Sequence, residues 1–416
     1  MSEGLGLRPW MTAPETAAVF DALEAEGGTG CARFVGGCVR NVLVGRPIDD
    51  IDIATTLTPD RVVKALKAAG LGAVPTGIEH GTVTAVSSRK PHEITTLRRD
   101  VTTDGRRATV AFTDDWAEDA QRRDFTLNAL YADRDGTLFD PTGQGVADAR
   151  AGRIVFVGMP EQRLGEDHLR NLRFFRFLAW FGKGAPDANA LAACAALKDN
   201  IESLSAERVS KEMLKLLAAD DPREAVRLMA ETGVLGVILQ VPLNLARFDA
   251  LIGIETDQLF ETDPVLRLAA FLPDDQTAAR RFAERLRLSN ADRDRLQAAL
   301  SQTPVLKSWM SPREIRREIY RADLPTFRDR AKLAWAASPR SATTVQWRGL
   351  IALAEGWVVP TFPLTGDDVI KAGTAKGPLV GQVLREVEDW WIDHDFLDDP
   401  MSAIEKLKAV VQGLAY

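Results

Sequence analysis

Twenty residues, Phe34 to Ile53, constrain this chain more than any other stretch: Phe-Val-Gly-Gly-Cys-Val-Arg-Asn-Val-Leu-Val-Gly-Arg-Pro-Ile-Asp-Asp-Ile-Asp-Ile. A short apolar strand, Arg33 to Val35, runs into two glycines. A short helix follows, and a second strand, Asp50 to Ala54, carries Asp-x-Asp. Strand alternation puts Asp50 and Asp52 on one face, with Ile51 and Ile53 on the other. Two carboxylates roughly 7 Å apart along a strand repel unless a cation bridges them. Hard oxygen ligands suit Mg²⁺, which binds through a few carboxylates plus substrate phosphates. Gly36-Gly37 lets backbone N–H groups approach an anion closely, and the helix start adds positive potential. Arg40 lies one helical turn further on, within reach of a phosphate. A glycine pair alone is a common turn, and Asp-x-Asp alone is usually a surface strand. At this spacing the two together specify a phosphate-and-metal site.

The rest of the first ~150 residues mixes strand and helix signals. The Thr/Val-rich runs 82–86, 93–97 and 109–112 read as strands. Thr58-Pro59 opens a helix with Val62, Val63, Leu66 and Ala69 on one face. Asp135-Gly136 reads as a hairpin turn, and 154–157 as one more short extended segment. Beyond residue 160 the strand signals fade. Helical spacing recurs over 161–181, 205–219, 222–232, 277–286, 292–301 and 312–321, with starts at Ser205 and Ser311. Pro and Gly clusters near 240, 303, 338 and 359–366 are candidate joints. The chain is thus a mixed α/β head followed by a long helical arm.

Charge excludes some functions. The chain has 52 Lys and Arg against 59 Asp and Glu, net −7, so it is no globally basic nucleic-acid binder. Locally, residues 280–332 carry 14 Lys/Arg against 7 Asp/Glu. That stretch is either a set of solvated helix faces or a phosphate-backbone track. Three cysteines without CxxC spacing exclude a disulfide framework and a zinc ribbon. The longest uncharged run, 232–246, is too short and polar to span a bilayer, and the N-terminus lacks a secretion signal. A reduced cytoplasmic setting is the expectation. His394-Asp395 is an isolated pair, so no appended metal-dependent phosphohydrolase domain is expected. His80 reads as a structural histidine. Trp309, Trp335, Trp347, Trp357, Trp390 and Trp391 read as core and interface residues of helices.

Four further stretches complete a resemblance. Gly36 to Thr55 is similar to the first signature of the tRNA nucleotidyltransferase / bacterial poly(A) polymerase family, within the DNA polymerase β-like nucleotidyltransferase superfamily. Arg122-Arg123-Asp124-Phe125-Thr126-Leu127-Asn128-Ala129-Leu130 resembles its RRDFTxNAL motif. Asp140-Pro141 with Gly143 and Asp148 resembles the turn after the head strands. Glu166 to Phe177 resembles the EDxxRxxRxxRF helix. Ser205 to Leu217, with Glu207-Arg208 and Glu212, resembles the helix that follows. Phe362 to Asp368 is similar, more faintly, to a tail element. Asn41 departs from the pattern, since an acidic residue is common there.

The resemblance implies an α+β protein: an N-terminal nucleotidyltransferase head with a small twisted sheet and flanking helices (1–150), then an all-helical neck that reads the nucleotide (151–235), a basic RNA-binding body (236–340) and a tail (341–416). It implies Asp50 and Asp52 as catalytic residues holding two Mg²⁺ ions. Glu93 is either a third carboxylate or a structural strand residue. Nucleotide contacts are expected from Gly36, Gly37, Arg40, Arg123 and Asp124, and from Asp167, Arg170, Arg173 and Arg176, which step by three along one expected helix. Asp167 and Arg170 would read the base in place of a template. The implied reaction adds C, C and A from CTP and ATP to the 3′ end of tRNA. Poly(A) synthesis, CC-only or A-only addition, and an inactive RNA-binding protein are the alternatives. The segment from Leu97 to Trp116, with Arg98, Arg99, Arg106 and Arg107, is long enough for the flexible loop of a full enzyme. No membrane partner is expected, and the oligomeric state is not legible.

Overall fold

The computed structural model describes residues 4–104, 107–338, 344–396 and 399–413, and of residues 100–110 at most the backbone. Arg106, the side chain of Arg107 and the expected 340/341 boundary lie outside the described residues. The chain divides after Val241 into two compact units.

The first unit is built on nine strands: β1 (Ala32–Val35), β2 (Asp52–Thr55), β3 (Gly72–Gly77), β4 (Thr82–Ser87), β5 (Lys90–Thr96), β6 (Arg98–Asp104), β7 (Arg107–Phe112), β8 (Tyr131–Ala132) and β9 (Leu138–Phe139). Seven form one sheet in the order β3-β4-β5-β2-β1-β8-β9, and β6 and β7 form a separate hairpin. Only β2 and β5 run parallel, and their register sets Asp52 beside Glu93. In the middle of the sheet Phe34, Ile53, Val83 and Ile94 are fully buried, because each lies on the face opposite the functional side chains.

Three sequence expectations change. First, β2 begins at Asp52, not Asp50. Asn41 donates its side-chain N–H to the carbonyl of Pro47 at 2.6 Å, which holds the preceding segment against the helix Gly37–Val44, so the ladder starts two residues later than the alternation suggests. Second, the expected helix 161–181 is two helices, Pro160–Glu166 and Leu169–Phe181. Asp167 breaks them with extended backbone, φ −146°, and its carboxylate accepts the N–H of Leu169 at 3.1 Å. Third, in the helix Pro59–Ala68, Ala65 takes the buried place expected for Ala69. β3 is a strand not named among those expected from the sequence. It lies at the sheet edge with a register irregularity between Val74 and Gly77, where Pro75 is tolerated.

Among its described residues the second unit has helices and no strands. Ser311 opens Pro312–Ala322 with a complete capping box to Glu314, as its sequence predicts. Trp335, Trp347 and Trp391 are buried, whereas Trp309 is 71% exposed and is not a core residue. The basic stretch is extensively paired. Arg313 donates to the backbone carbonyl of Asp393, and Arg316, Arg317 and Arg321 form ion pairs with Asp395, Asp393 and Asp389 at 3.0–3.1 Å. Among the described residues no helix is long and apolar enough to cross a membrane.

Candidate active site

The turn between β1 and the helix Gly37–Val44 organises the site. Gly36 takes φ +68°, ψ −116°, a conformation open essentially to glycine alone. This hands the chain from the sheet into the helix, whose first N–H groups have no partner within the helix. Gly36→Ala should therefore cost about 1–3 kcal/mol through backbone strain. Nothing would clash, since a Cβ there meets its nearest atom, Nη1 of Arg123, at 3.7 Å. Chemical denaturation checks this, and an unchanged midpoint would show that the turn tolerates a side chain.

A cleft of about 720 Å³ opens over this turn within the first unit. It gathers Gly36, Gly37, Arg40, Asp52, Arg123, Asp124, Arg173 and Arg176 among its lining. Asp50, Asp167 and Arg170 lie outside that lining. Burial, then Glu93 and then Asp50, push the Asp52 carboxyl up to about 6. Glu93 itself is exposed on β5. Two carboxylates that raise the proton affinity of a buried third make a site that gains from a divalent cation. Among the described residues no three His, Cys, Asp or Glu side chains converge closely enough to hold a metal alone. A divalent cation of the hard type takes one or two carboxylates and completes its shell with water and substrate phosphates. Asp50 and Asp52 fit the group on these terms.

The same cleft gathers a cluster of cations. Arg40, Arg46, Arg123, Arg173, Arg176 and Lys215 line the cleft together with Asp49, Asp52 and Asp124. Burial, with Arg176 and Arg173 alongside, pushes Arg40 down to about 10. Burial also holds Arg176 below its ordinary value, although its Nε lies 2.7 Å from Oε2 of Glu212. Aromatic faces carry part of this charge: Arg40 lies 4.2 Å over Phe181, Arg176 4.6 Å over Phe177, and Arg46 5.1 Å over Trp180. Crowded, partly desolvated cations call for a polyanion.

Asp124 holds this cluster in order. It is 8% exposed, and burial alone would raise its carboxyl. Arg173, with hydrogen bonds from Asn128 and the N–H of Phe125, brings it down to about 2. Arg173 Nε donates to it at 2.7 Å, Asn128 Nδ2 at 3.0 Å and Phe125 N at 2.9 Å. Asn128 in turn accepts from Arg40 Nη1 at 2.6 Å. Asn41 accepts from the same guanidinium at 2.8 and 3.1 Å. The neutral amide at position 41 thus does two jobs, accepting from Arg40 and donating to Pro47.

The expected base-reading pair is not a pair here. Arg170 donates to Glu166 at 2.6 Å and to the Arg122 carbonyl at 2.8 Å. Asp167 instead accepts from Arg208 at 2.9 and 3.0 Å. The helix break between the two residues sends their side chains to different partners. Arg173 and Arg176 do share one face, as helical spacing predicts.

Sequence reasoning missed Arg46, Asp49, Trp180, Phe181 and Lys215 as lining residues. Arg46 and Asp49 stand inside the first motif. Trp180 and Lys215 meet only in the fold, where the indole N–H donates to the Lys215 carbonyl at 2.7 Å. Asp119 was also missed. It is 1% exposed and receives hydrogen bonds from both Arg122 and Arg123.

Comparison with known proteins gives the family. Residues 32–155 match the family model described as the Poly A polymerase head domain. Residues 185–243 match one described as a probable RNA and SrmB-binding site of polymerase A. The chain is 33% identical over 390 residues to CCA tRNA nucleotidyltransferase 1, mitochondrial, of Mus musculus, covering 90% of this chain and 86% of that protein. It is 30% identical to the CCA-adding enzyme of Latilactobacillus sakei, covering 90% and 94%. Among solved structures, the Bacillus stearothermophilus CCA-adding enzyme in complex with CTP superimposes with a TM-score of 0.73 at 27% identity, covering 96% of this chain and 98% of that one. With a head that matches over residues 32–155 and relatives at least 30% identical over 90% of its length, the chain belongs to the CCA tRNA nucleotidyltransferase family, the CCA-adding enzymes.

Proposed function

We propose that this chain adds C, C and A, from CTP and ATP and without a template, to the 3′ end of tRNA in the cytoplasm. The observation that carries the reading is the cleft, which brings Asp52, the glycine turn and a crowded arginine cluster into one lining. In this reading residues 1–150 are the head, 151–235 the neck, 236–340 the body and 341–416 the tail.

Asp50 and Asp52 would hold Mg²⁺, which acidifies the attacking 3′-hydroxyl and neutralises the departing pyrophosphate. The remaining work is positioning and electrostatics, since nucleotidyl transfer needs no covalent bond to the protein. The Gly36 turn and the backbone N–H of Gly37, with Arg40 and Arg123, take the triphosphate. Arg173 and Arg176 extend the positive wall along the helix Leu169–Phe181. Burial strengthens each of these contacts against water. Arg313, Arg316 and Arg317 would contact the tRNA backbone by exchanging their aspartates for phosphates.

With a nucleotide bound, Asp167 would offer the acceptor for the exocyclic amine that cytosine and adenine share, and Arg170, on leaving Glu166, would offer the donor for the adjacent ring nitrogen. Arg208 holds the Asp167 carboxylate one-third exposed, ordered yet accessible. Asp167→Ala should let UTP and GTP compete, losing discrimination worth ~1–3 kcal/mol, or one to two decades. Misincorporation ratios with all four nucleotides measure it. An unchanged CTP/UTP ratio would make Asp167 purely structural.

The decisive experiment incubates the full chain with Mg²⁺, labelled CTP or ATP singly and together, and tRNA lacking its 3′ terminus. Addition of two Cs and one A supports the reading. A ladder of As on arbitrary RNA supports poly(A) synthesis, and C-only or A-only products support a partial enzyme. No incorporation supports an inactive RNA-binding protein.

A further inference from the structure

The cleft arginine with the most constrained geometry owes it to residues outside the cleft. Arg123 lies in the segment between the short helix Trp116–Gln121 and β8. Its Nη2 donates to Oδ2 of Asp119 at 3.0 Å, and its Nε to the same oxygen and to the Tyr131 hydroxyl, both at 3.2 Å. The Tyr131 hydroxyl donates to Oδ2 of Asp119 at 2.7 Å. Nε and Nη2 of Arg123 are therefore committed on the inner side of the guanidinium. Nη1, to which no such bond runs among the described residues, lies nearest the space above Gly36.

Both anchors are fixed. Asp119 and Tyr131 are buried, and Tyr131 pairs with Val35, the residue before the turn. The other Asp119 oxygen, Oδ1, accepts from Arg122 Nε at 2.8 Å and from the N–H of Arg98 at 3.2 Å. Arg122 Nε also donates to the Arg98 carbonyl at 3.1 Å. Arg98 is the first residue of β6. One carboxylate thus ties the root of the β6–β7 hairpin, the end of β1 and the cleft arginine together.

We propose that Asp119 and Tyr131 are positioning residues that aim Arg123 Nη1 at the phosphates of a nucleotide bound over Gly36-Gly37. The assignment rests on the nucleotide-binding reading of the cleft given above. A guanidinium held on one edge by a buried carboxylate and a phenol loses little freedom when its other edge meets an anion. The carboxylate also keeps the cation in place while the cleft is empty. Tethering through Arg98 further makes the aim of Arg123 depend on the placement of the hairpin.

The test uses the full chain with Mg²⁺ and compares CTP with CMP, which carries the same base and sugar with two fewer phosphates. Asp119→Asn keeps the size of the side chain and removes its charge. Tyr131→Phe removes only the hydroxyl and preserves the packing. Asp119→Asn should weaken CTP about tenfold, the scale of a charge-assisted hydrogen bond, and Tyr131→Phe about threefold. The KM for ATP should rise in step, and inhibition by CMP should change little. In an Arg123→Gln background, Asp119→Asn should add nothing further to the loss of CTP affinity, because its effect runs through that arginine. An unchanged CTP/CMP ratio in both single variants overturns the assignment, as does full additivity with Arg123→Gln. If the wild-type chain itself binds CTP no better than CMP, the nucleotide-binding reading of the cleft fails instead.

Discussion

Asp52→Asn is expected to lower nucleotide incorporation by on the order of 10³-fold or more, because one carboxylate of the cation site goes and its electrostatic work with it. The fold should survive and even gain. Burial, Glu93 and Asp50 hold the Asp52 carboxyl up at about 6, above the ordinary carboxylate value. The ionised group is therefore an unfavourable element of the folded chain at neutral pH. The stability penalty it imposes is present above about pH 6 and relieved as pH falls below that. The neutral amide should remove it and raise stability by about 1–2 kcal/mol. Single-turnover incorporation and a thermal melt of the same preparation measure both effects. Near-normal turnover would sink the cation-site assignment. A large loss of stability would mean that Asp52 is a structural acid.

Asp124→Asn should behave in the opposite way. Its carboxyl is held at about 2 by Arg173, Asn128 and the Phe125 N–H, below the unfolded value near 3.9. The sign follows: its contribution is fully present above about pH 4 and is lost as pH falls through about 2. That contribution is about 2.5 kcal/mol. Removing one partner of a largely buried pair and leaving Arg173 behind costs about 3 kcal/mol. Urea denaturation at pH 7 should show that loss. At pH 3 the gap between wild type and variant should narrow, because Asp124 of the unfolded chain is then largely protonated while the folded carboxylate still is not. A gap that stays constant between pH 7 and pH 3 would show that the charge of Asp124 is not what stabilises. Nucleotide affinity should fall as well, since Asn128 and Arg40 hang from the same carboxylate.

These two aspartates mark what local sequence can and cannot reveal. Asp52 was legible because its neighbours constrain it. Alternation places it opposite Ile53, and the glycine pair before it demands a turn. Gly36 at φ +68°, Ser311 with its capping box and the arginine face of Leu169–Phe181 were legible for the same reason. Backbone sterics and helical or strand periodicity act over a few residues, and a few residues are what a motif contains. The change from sheet to helices beyond residue 160 is likewise written in periodicity.

The partners of the charged groups were decided only by the tertiary structure. Asp167 and Arg170 stand three apart, yet Arg208, forty-one positions on, takes the aspartate, and Glu166 takes the arginine. The basic stretch reads as a row of free cations until Asp389, Asp393 and Asp395 pair with its arginines. Asp119 shows no motif at all, but the fold brings Arg98, Arg122, Arg123 and Tyr131 to one carboxylate. The physical reason is reach. A long charged side chain is satisfied by whichever opposite charge the packed elements bring near it. Burial, not sequence spacing, then decides how much that meeting is worth. The sequence by itself determined the turn, the acid strand and the arginine helix. The tertiary structure decided which carboxylates face the cleft and which hold its arginines in place.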